Sequence, residues 1–238
     1  MKKTFLVFSL LLFLSQTQLF AKKIVIGINP WFSFITYENG KADGRTIKIF
    51  EKIAKELHYK IEYKVAPWTR LLKMIESGEI DVMGNLSHSK ERENFLTYVK
   101  PPFYKQNTYF YTLKENTHLI KKYEDLYNYT IPVGSGYVYY EKFDHDKNIT
   151  KEVVSHLDTN VPELILIKML LKKRVKVIIS SSGIMEHIMK EYNLEGLIEP
   201  SLYNPNIYDN LYLGISNKSP FVKDIDKINK AMKKILSK

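Results

Sequence analysis

The sequence predicts an α/β protein of two lobes, each a mainly parallel sheet flanked by helices, with a cleft between them. Three observations carry this. Short apolar runs alternate with amphipathic helical stripes along the chain, the order that gives parallel strands and covering helices. The alternation begins afresh after residues 109–112, and residues 203–208 mark a second crossing. A length of 238 residues suits one large domain or two small ones.

The elements follow in order. Residues 23–28 (KIVIGI) are a short apolar run stopped by Asn29-Pro30, hence a strand. Residues 32–37 pair or bend back, and Asn39-Gly40 is a turn signal. Across residues 45–57, Ile47, Phe50, Ile53, Ala54 and Leu57 fall on one helical stripe. Residues 61–65 alternate as a strand. Pro67 suits a helix start, Leu71, Leu72 and Ile75 give its apolar face, and Gly78 suits its end. Residues 80–83 are the next strand. The second lobe opens with a strand at 129–133 leading into Gly134-Ser135-Gly136, then a short strand at 153–154 and a helix over 161–173. The continuous apolar run 175–179 is a strand of the buried parallel kind. A helix over 184–192, a strand at 211–215 and a helix over 220–236 complete the chain. Residues 22–108 and 206–238 are thus expected in one lobe and 109–205 in the other.

Residues 1–21 read as a secretory signal peptide. Met1-Lys2-Lys3 is a basic start, residues 4–14 are apolar apart from Thr4 and Ser9, and Ala21 suits the residue before the cut. The apolar run is short for a membrane span. With no cysteine in the chain, disulfides, thiolate zinc sites, a cysteine nucleophile and a lipid-modified cysteine are excluded, and a free periplasmic protein is expected. The net charge of +10 raises nucleic acid as a partner. Of the 36 basic residues, however, only Arg45, Arg70, Arg92 and Arg174 are arginine, and the lysines are scattered. Readers of bases and phosphates favour the bidentate Arg fork, so no nucleic acid is expected.

The chemistry concentrates around Arg92. An Arg behind a loop of small hydroxyl and amide residues is a carboxylate receptor: the guanidinium forks onto two oxygens, and hydroxyls or backbone N–H groups complete the shell. Arg92 is the candidate clamp, with Ser87 and Asn85 as polar ligands. The alternatives are pairing of Arg92 with Glu91 or Glu93, and plain turn chemistry for Ser87 and Asn85. Arg70, early in a helix, either faces the cleft or pairs with Glu76 or Asp81. Trp31, Phe32 and Trp68 are candidate walls for the apolar or cationic part of a small ligand, against ordinary core packing. Ser135-Gly136-Tyr137 follows a strand and is expected to open a helix whose backbone N–H groups hold an anion.

Several segments occur together in a specific order. They are Ile26-Gly27 through Pro30-Trp31-Phe32-Ser33-Phe34, and Asn39-Gly40-Lys41 with the helix ending Ile53-Ala54-Lys55-Glu56-Leu57. Pro67-Trp68-Thr69-Arg70-Leu71-Leu72 and Ser77-Gly78-Glu79-Ile80-Asp81 follow, then Leu86-Ser87 with Ser89-Lys90-Glu91-Arg92, and Pro101-Pro102-Phe103-Tyr104. From residue 23 to the C-terminus the chain resembles the bacterial extracellular solute-binding proteins of family 3, periplasmic receptors of polar amino-acid ABC importers. The resemblance implies a type II periplasmic-binding-protein fold, hinge closure on a small polar solute, delivery to an inner-membrane permease, a monomer and no cofactor. It also implies ligand contacts at Gly136 and Tyr137.

One departure matters. In the family, the strand matching 175–179 is followed by an Asp that pairs with the ligand's ammonium group. The matching residue here is Ser181, and a neutral hydroxyl does not replace a buried counter-charge. Acids often found early in the family's first helix give way to Thr46 and Lys48. The expectation is therefore a carboxylate-bearing, amino-acid-like solute, with Glu141, Asp158 or Glu163 as substitute charge partner. Two other readings stand beside it: a dehydratase-like enzyme acting on a cyclic carboxylic acid through Glu141 or His88, and a ligand-sensing partner of a separate membrane protein. Asp144-His145-Asp146 is a dense cluster, but adjacent residues do not easily converge on one ion.

Overall fold

Strand β1 (Lys23–Ile28) pairs in parallel with β4 (Lys60–Val65) on one side and β5 (Val82–Ser87) on the other. The computed structural model describes residues 22–32, 34–154 and 161–237; the expected signal peptide and Asp158 lie outside these. Helix α1 (Arg45–Glu56) precedes β4, and α2 (Trp68–Ser77) links β4 to β5. Alternation along β1 sends Ile24, Ile26 and Ile28 to one face, into a core with Phe50 and Ile53 of α1 and with Ile228 and Met232 of the last helix, α7 (Ile225–Leu236). Leu71, Met74 and Ile75 of α2 pack with Ile80 and Met83 in a second core on the other face. Gly27 permits that close approach. A Cβ there would collide with the Ile80 side chain and lie 2.8 Å from Leu71 Cδ2. Pro67 caps α2, and Gly78 ends it in the left-handed region at φ 83°. A hairpin of β2 (Thr36–Glu38) and β3 (Lys41–Asp43) closes on Asn39-Gly40.

Two long antiparallel strands connect the halves of the molecule: β7 (Tyr104–Leu113) and β12 (Ile207–Ser216). The early part of β7 pairs with β12, and its later part with β10 (Ile178–Ser181) and β11 (Ile198–Pro200). The main sheet therefore runs β10-β7-β12-β5-β1-β4 without a break, with β6 (Leu96–Tyr98) added to β12. In the second half, β8 (Thr130–Gly134) and β9 (Thr150–Val154) form a parallel pair. Their core joins Ile131, Val133 and Phe143 to Phe110 of β7 and Ile179 of β10. Helices α5 (Glu163–Leu171) and α6 (Ser182–Glu191) flank β10.

Several boundaries differ from the sequence reading, each for a local reason. The strand expected at 175–179 as a buried parallel one is β10 at Ile178–Ser181, which is buried but pairs antiparallel with β7; Val175 and Val177 are buried but lie before the ladder. The strand expected at 80–83 begins only at Val82, because Ile80 and Asp81 form the turn out of α2. Asp81 serves that turn structurally: its Oδ2 accepts the Val25 N–H at 2.8 Å and its Oδ1 the Ser219 hydroxyl at 2.6 Å. No helix opens at 135–137. Helix α4 (Glu141–His145) starts later, after an extended Tyr140. Tyr104–Leu113 escaped the strand reading because its aromatic alternation is interrupted by the inward-facing Gln106 and Thr108, both buried.

Candidate ligand-binding site

A cavity of about 970 Å³, including its open mouth, lies where β1, β5 and β10 end and β7 and β12 cross. The parallel strands β1 and β5 bring their C-terminal ends to one edge, where ligands of α/β folds bind, and β10, antiparallel to β7, ends at the same cavity. Gly27 and Asn29 come from the first strand, Asn85 and Ser87 from the fifth, Gln106 and Thr108 from the seventh. Ser180 and Ser181 end β10, and Asp209 comes from β12.

Arg92 reaches the cavity from a short helix, α3 (Lys90–Glu93), whose N-cap Ser89 accepts the Arg92 N–H at 3.3 Å. The residue is 5% exposed. Nη1 donates to the Ser87 carbonyl at 2.7 Å and Nη2 to the Gly136 carbonyl at 2.9 Å, and the guanidinium carbon lies 5.6 Å from the Trp68 ring centroid. No carboxylate pairs with it among the described residues. Glu93 instead lies 2.8 Å from His88, and Glu91 faces His145 at 3.7 Å. Burial lowers the guanidinium's pKa, partly offset by Tyr98 and Asp209 nearby. Arg still stays charged at neutral pH, because its ordinary pKa lies so far above it. The result is a buried cation whose bonded partners are neutral carbonyls.

The strand ends supply the rest of this pole. The Ser87 hydroxyl donates to Asp209 Oδ2 at 2.7 Å, and Gln106 Nε2 donates to the same oxygen at 3.1 Å. Asp209 and Gln106 are register partners across β12 and β7. Loss of surrounding water raises the Asp209 pKa to about 6, against the hydrogen bonds from Ser87 and Gln106 and the field of Arg92. Asn85 sits at φ 59°, with its amide oxygen accepting the Thr46 hydroxyl at 2.7 Å. Thr46 thus fixes the orientation of that amide.

Also lining the cavity, Trp31 Nε1 donates to Glu163 Oε1 at 3.2 Å. Glu163 opens α5, is 6% exposed, and its Oε2 has no hydrogen-bond partner. Burial raises its pKa, opposed by its own backbone N–H and by Trp31. The Ser181 hydroxyl and Gln106 Oε1 are likewise buried without partners. Trp68 Nε1 donates to the Gly136 carbonyl at 3.1 Å, and the Tyr137 ring meets Trp68 edge-on at 6.1 Å.

The cavity therefore brings together Arg92, Ser87, Asn85, Trp31, Trp68, Tyr137 and Ser181 from the sequence candidates. Phe32, Arg70 and Gly136 are not on its wall. Phe32, at φ 43°, turns away to pack edge-on against His187 at 4.5 Å. Arg70 is exposed on α2. Gly136 bridges the halves instead, and it offers its carbonyl to Arg92 and Trp68 where N–H groups facing an anion were expected. Asp209 and Gln106 were missed; each lies among other polar residues of its strand, and only their facing register across β12 and β7 singles them out. Of the named substitute acids, Glu163 lines the cavity, while Glu141 is exposed and faces Lys90 at 3.8 Å. Asp144 and Asp146 turn to separate partners, the Tyr139 N–H at 3.0 Å and the Tyr127 hydroxyl at 3.2 Å.

Crossing strands shared by two halves, enclosing a polar cavity with one buried cation and two acids, define a solute-binding protein. Residues 24–238 match the bacterial extracellular solute-binding proteins, family 3, and the chain belongs to that family. Membership makes it a binding protein rather than an enzyme, so the dehydratase-like reading is set aside. The chain is similar to the L-cystine-binding protein TcyJ of Bacillus subtilis (strain 168), 32% identical over 125 residues, which are 51% of this chain and 46% of that protein. It spans about half the length of the curated relatives it matches. Among solved structures it resembles the arginine-bound form of a truncated ArgBP from T. maritima, with TM-score 0.71, 15% identity, and 90% of this chain and 96% of that one covered. AbpA from Streptococcus pneumoniae, bound to L-arginine, gives TM-score 0.68 and 18% identity over 90% of this chain and 88% of that one. A histidine kinase sensor domain with similarity to periplasmic binding proteins gives 0.70 and 14%, over 90% of each. These likenesses establish the α/β periplasmic-binding-protein fold.

Proposed function

We propose that this chain is the extracytoplasmic receptor of an amino-acid ABC importer. It captures a small carboxylate-bearing, amino-acid-like solute, closes on it, and presents the closed form to an inner-membrane permease. The observation that carries this reading is Arg92: a residue 5% exposed, on the wall of the cavity, whose guanidinium is ion-paired with no carboxylate among the described residues. A buried cation without a counter-ion is costly, and a ligand carboxylate supplies one. The relatives' names, an L-cystine binder and arginine-bound receptors, support the same class of solute.

In this reading residues 22–108 and 206–238 form one lobe and 109–205 the other, with β7 and β12 as the hinge. Arg92, Ser87, Asn85, Trp31, Trp68, Tyr137 and Ser181 contact the solute; no cofactor is needed. Residues 1–21 direct a monomer to the periplasm and are removed after Ala21. The ligand favours closure by its extra contacts in the closed state. The test is a thermal-shift screen of the purified protein against the twenty amino acids, dicarboxylates and amines, repeated with Arg92→Ala. Stabilisation by amino acids, lost in the variant, supports the proposal; silence from every amino acid, with a shift from another class, refutes it. At a hundred times the dissociation constant a ligand adds about 2.7 kcal/mol, a shift of a few degrees.

A further inference from the structure

The cavity has more anionic capacity than a neutral amino acid can use. Arg92 is its single buried cation among the described residues, while Asp209 and Glu163 are both on its wall. Neither acid forms an ion pair with a described residue: Asp209 is held by Ser87 and Gln106, Glu163 by Trp31. Three buried acceptor-capable atoms on the same wall have no partner, namely Glu163 Oε2, Gln106 Oε1 and Ser181 Oγ. Buried polar atoms left unsatisfied in a native site call for a missing donor.

The two acids differ in position. Asp209 shares Ser87 with Arg92: the Ser87 hydroxyl holds the acid and its carbonyl holds the guanidinium. The carboxylate and ammonium of an α-amino acid are attached to one carbon, so they need neighbouring receptors of opposite charge. Arg92 and Asp209 meet that requirement. Glu163, at the start of α5, lies beside the Trp31 indole, which itself stacks on Phe34 at 5.0 Å. An acid with one oxygen tied to an indole N–H and the other unpaired in a wall that also carries aromatic side chains is a receptor for a cationic nitrogen on an apolar stem.

We infer that Glu163 is a specificity residue that selects amino acids with a cationic side chain, the α-carboxylate resting on Arg92 and the α-ammonium on Asp209. The inference rests on the amino-acid receptor reading above. It places the counter-charge for the ammonium group, missing at Ser181, on Asp209 of β12, and adds a further acid at the start of α5. A ligand of net charge +1 balances the three charged groups of the cavity, whereas a neutral amino acid leaves one negative charge in excess.

Calorimetry of the protein at pH 7.5 with L-lysine, L-arginine, L-glutamine and L-citrulline tests it, since citrulline keeps the shape of arginine without its charge. At least one cationic ligand is expected to bind about tenfold or more tighter than both neutral ones. Glu163→Gln should bring that ratio to near one; Asp209→Asn should weaken all ligands that bind the wild type. Melting of each unliganded variant checks that it is folded. If L-glutamine or L-citrulline binds as tightly as the cationic ligands, or if a folded Glu163→Gln keeps the ratio, the inference is overturned while the receptor reading stands. If none of the four binds, while a solute that is not an amino acid does, both fall together.

Discussion

Arg92 and Trp68 donate to one acceptor, the Gly136 carbonyl, at 2.9 and 3.1 Å from the other half of the molecule. The guanidinium also lies over the Trp68 ring, 5.6 Å from its centroid. One carbonyl, held at a positive φ of 71°, thus latches the cation and the indole together. The group proposed to receive the solute is thus also one of the contacts between the two halves.

Replacing Arg92 by Ala removes the cation and two of its hydrogen bonds. Affinity for the amino-acid ligand should fall by about 3 kcal/mol or more, on the order of 100-fold. Calorimetry measures it, and near-native affinity in the folded variant would remove Arg92 from the site.

Trp68→Phe keeps an aromatic ring and loses the N–H to Gly136. The loss of one hydrogen bond between the halves should cost about 1 kcal/mol, seen as a roughly fivefold faster release of ligand in stopped-flow measurements. An unchanged release rate would show that this bond is not part of the closed state in solution.

Asp209 sets a pH dependence. Its carboxyl is raised from 3.8 to about 6 in the folded protein, chiefly by burial. The proton is held more tightly in the folded state. Its stabilising contribution is full below pH 3.8 and is lost as the pH rises through 6. Asp209→Asn does not titrate, so its unliganded stability relative to wild type should improve by about 2–3 kcal/mol between pH 4 and pH 7. Urea titrations at both pH values test this; a constant difference would refute the assignment. Ligand affinity runs the other way. An ammonium group needs the ionised acid, so wild-type affinity should weaken as the pH drops below about 6.

Gly27→Ala introduces a Cβ that meets Ile80 and Leu71 under α2. Overpacking there should destabilise the protein by about 1–3 kcal/mol, measured by chemical denaturation. An unchanged midpoint would mean that α2 sits farther from β1 than described.

What the sequence made legible was local. The stripe of α1 and the Pro67 and Gly78 caps of α2 depend on neighbours a turn apart, and each lies where its pattern put it. Arg92 was legible because its hydroxyl-rich loop is contiguous with it. Asp209 and Gln106 were not, because they face each other across strands about a hundred residues apart and lie among other polar residues of both. Trp31 and Phe32 read alike in sequence, but the tight bridge from Trp31 to Ile35 turns one toward the cavity and the other toward His187. Glu163 stood only as one of three acids. Its selection depends on where α5 begins against Trp31, a tertiary fact.

Ser87 touches both charges, the cation through its carbonyl and the acid through its hydroxyl. The spacing between the two opposite charges is therefore gauged by a single small residue. The tip of the long Arg92 side chain is pinned by the Ser87 backbone, and the acid by the short Ser87 side chain. Under the proposed function, this makes Ser87 a fixed caliper against which the spacing of a solute's own charges would be measured.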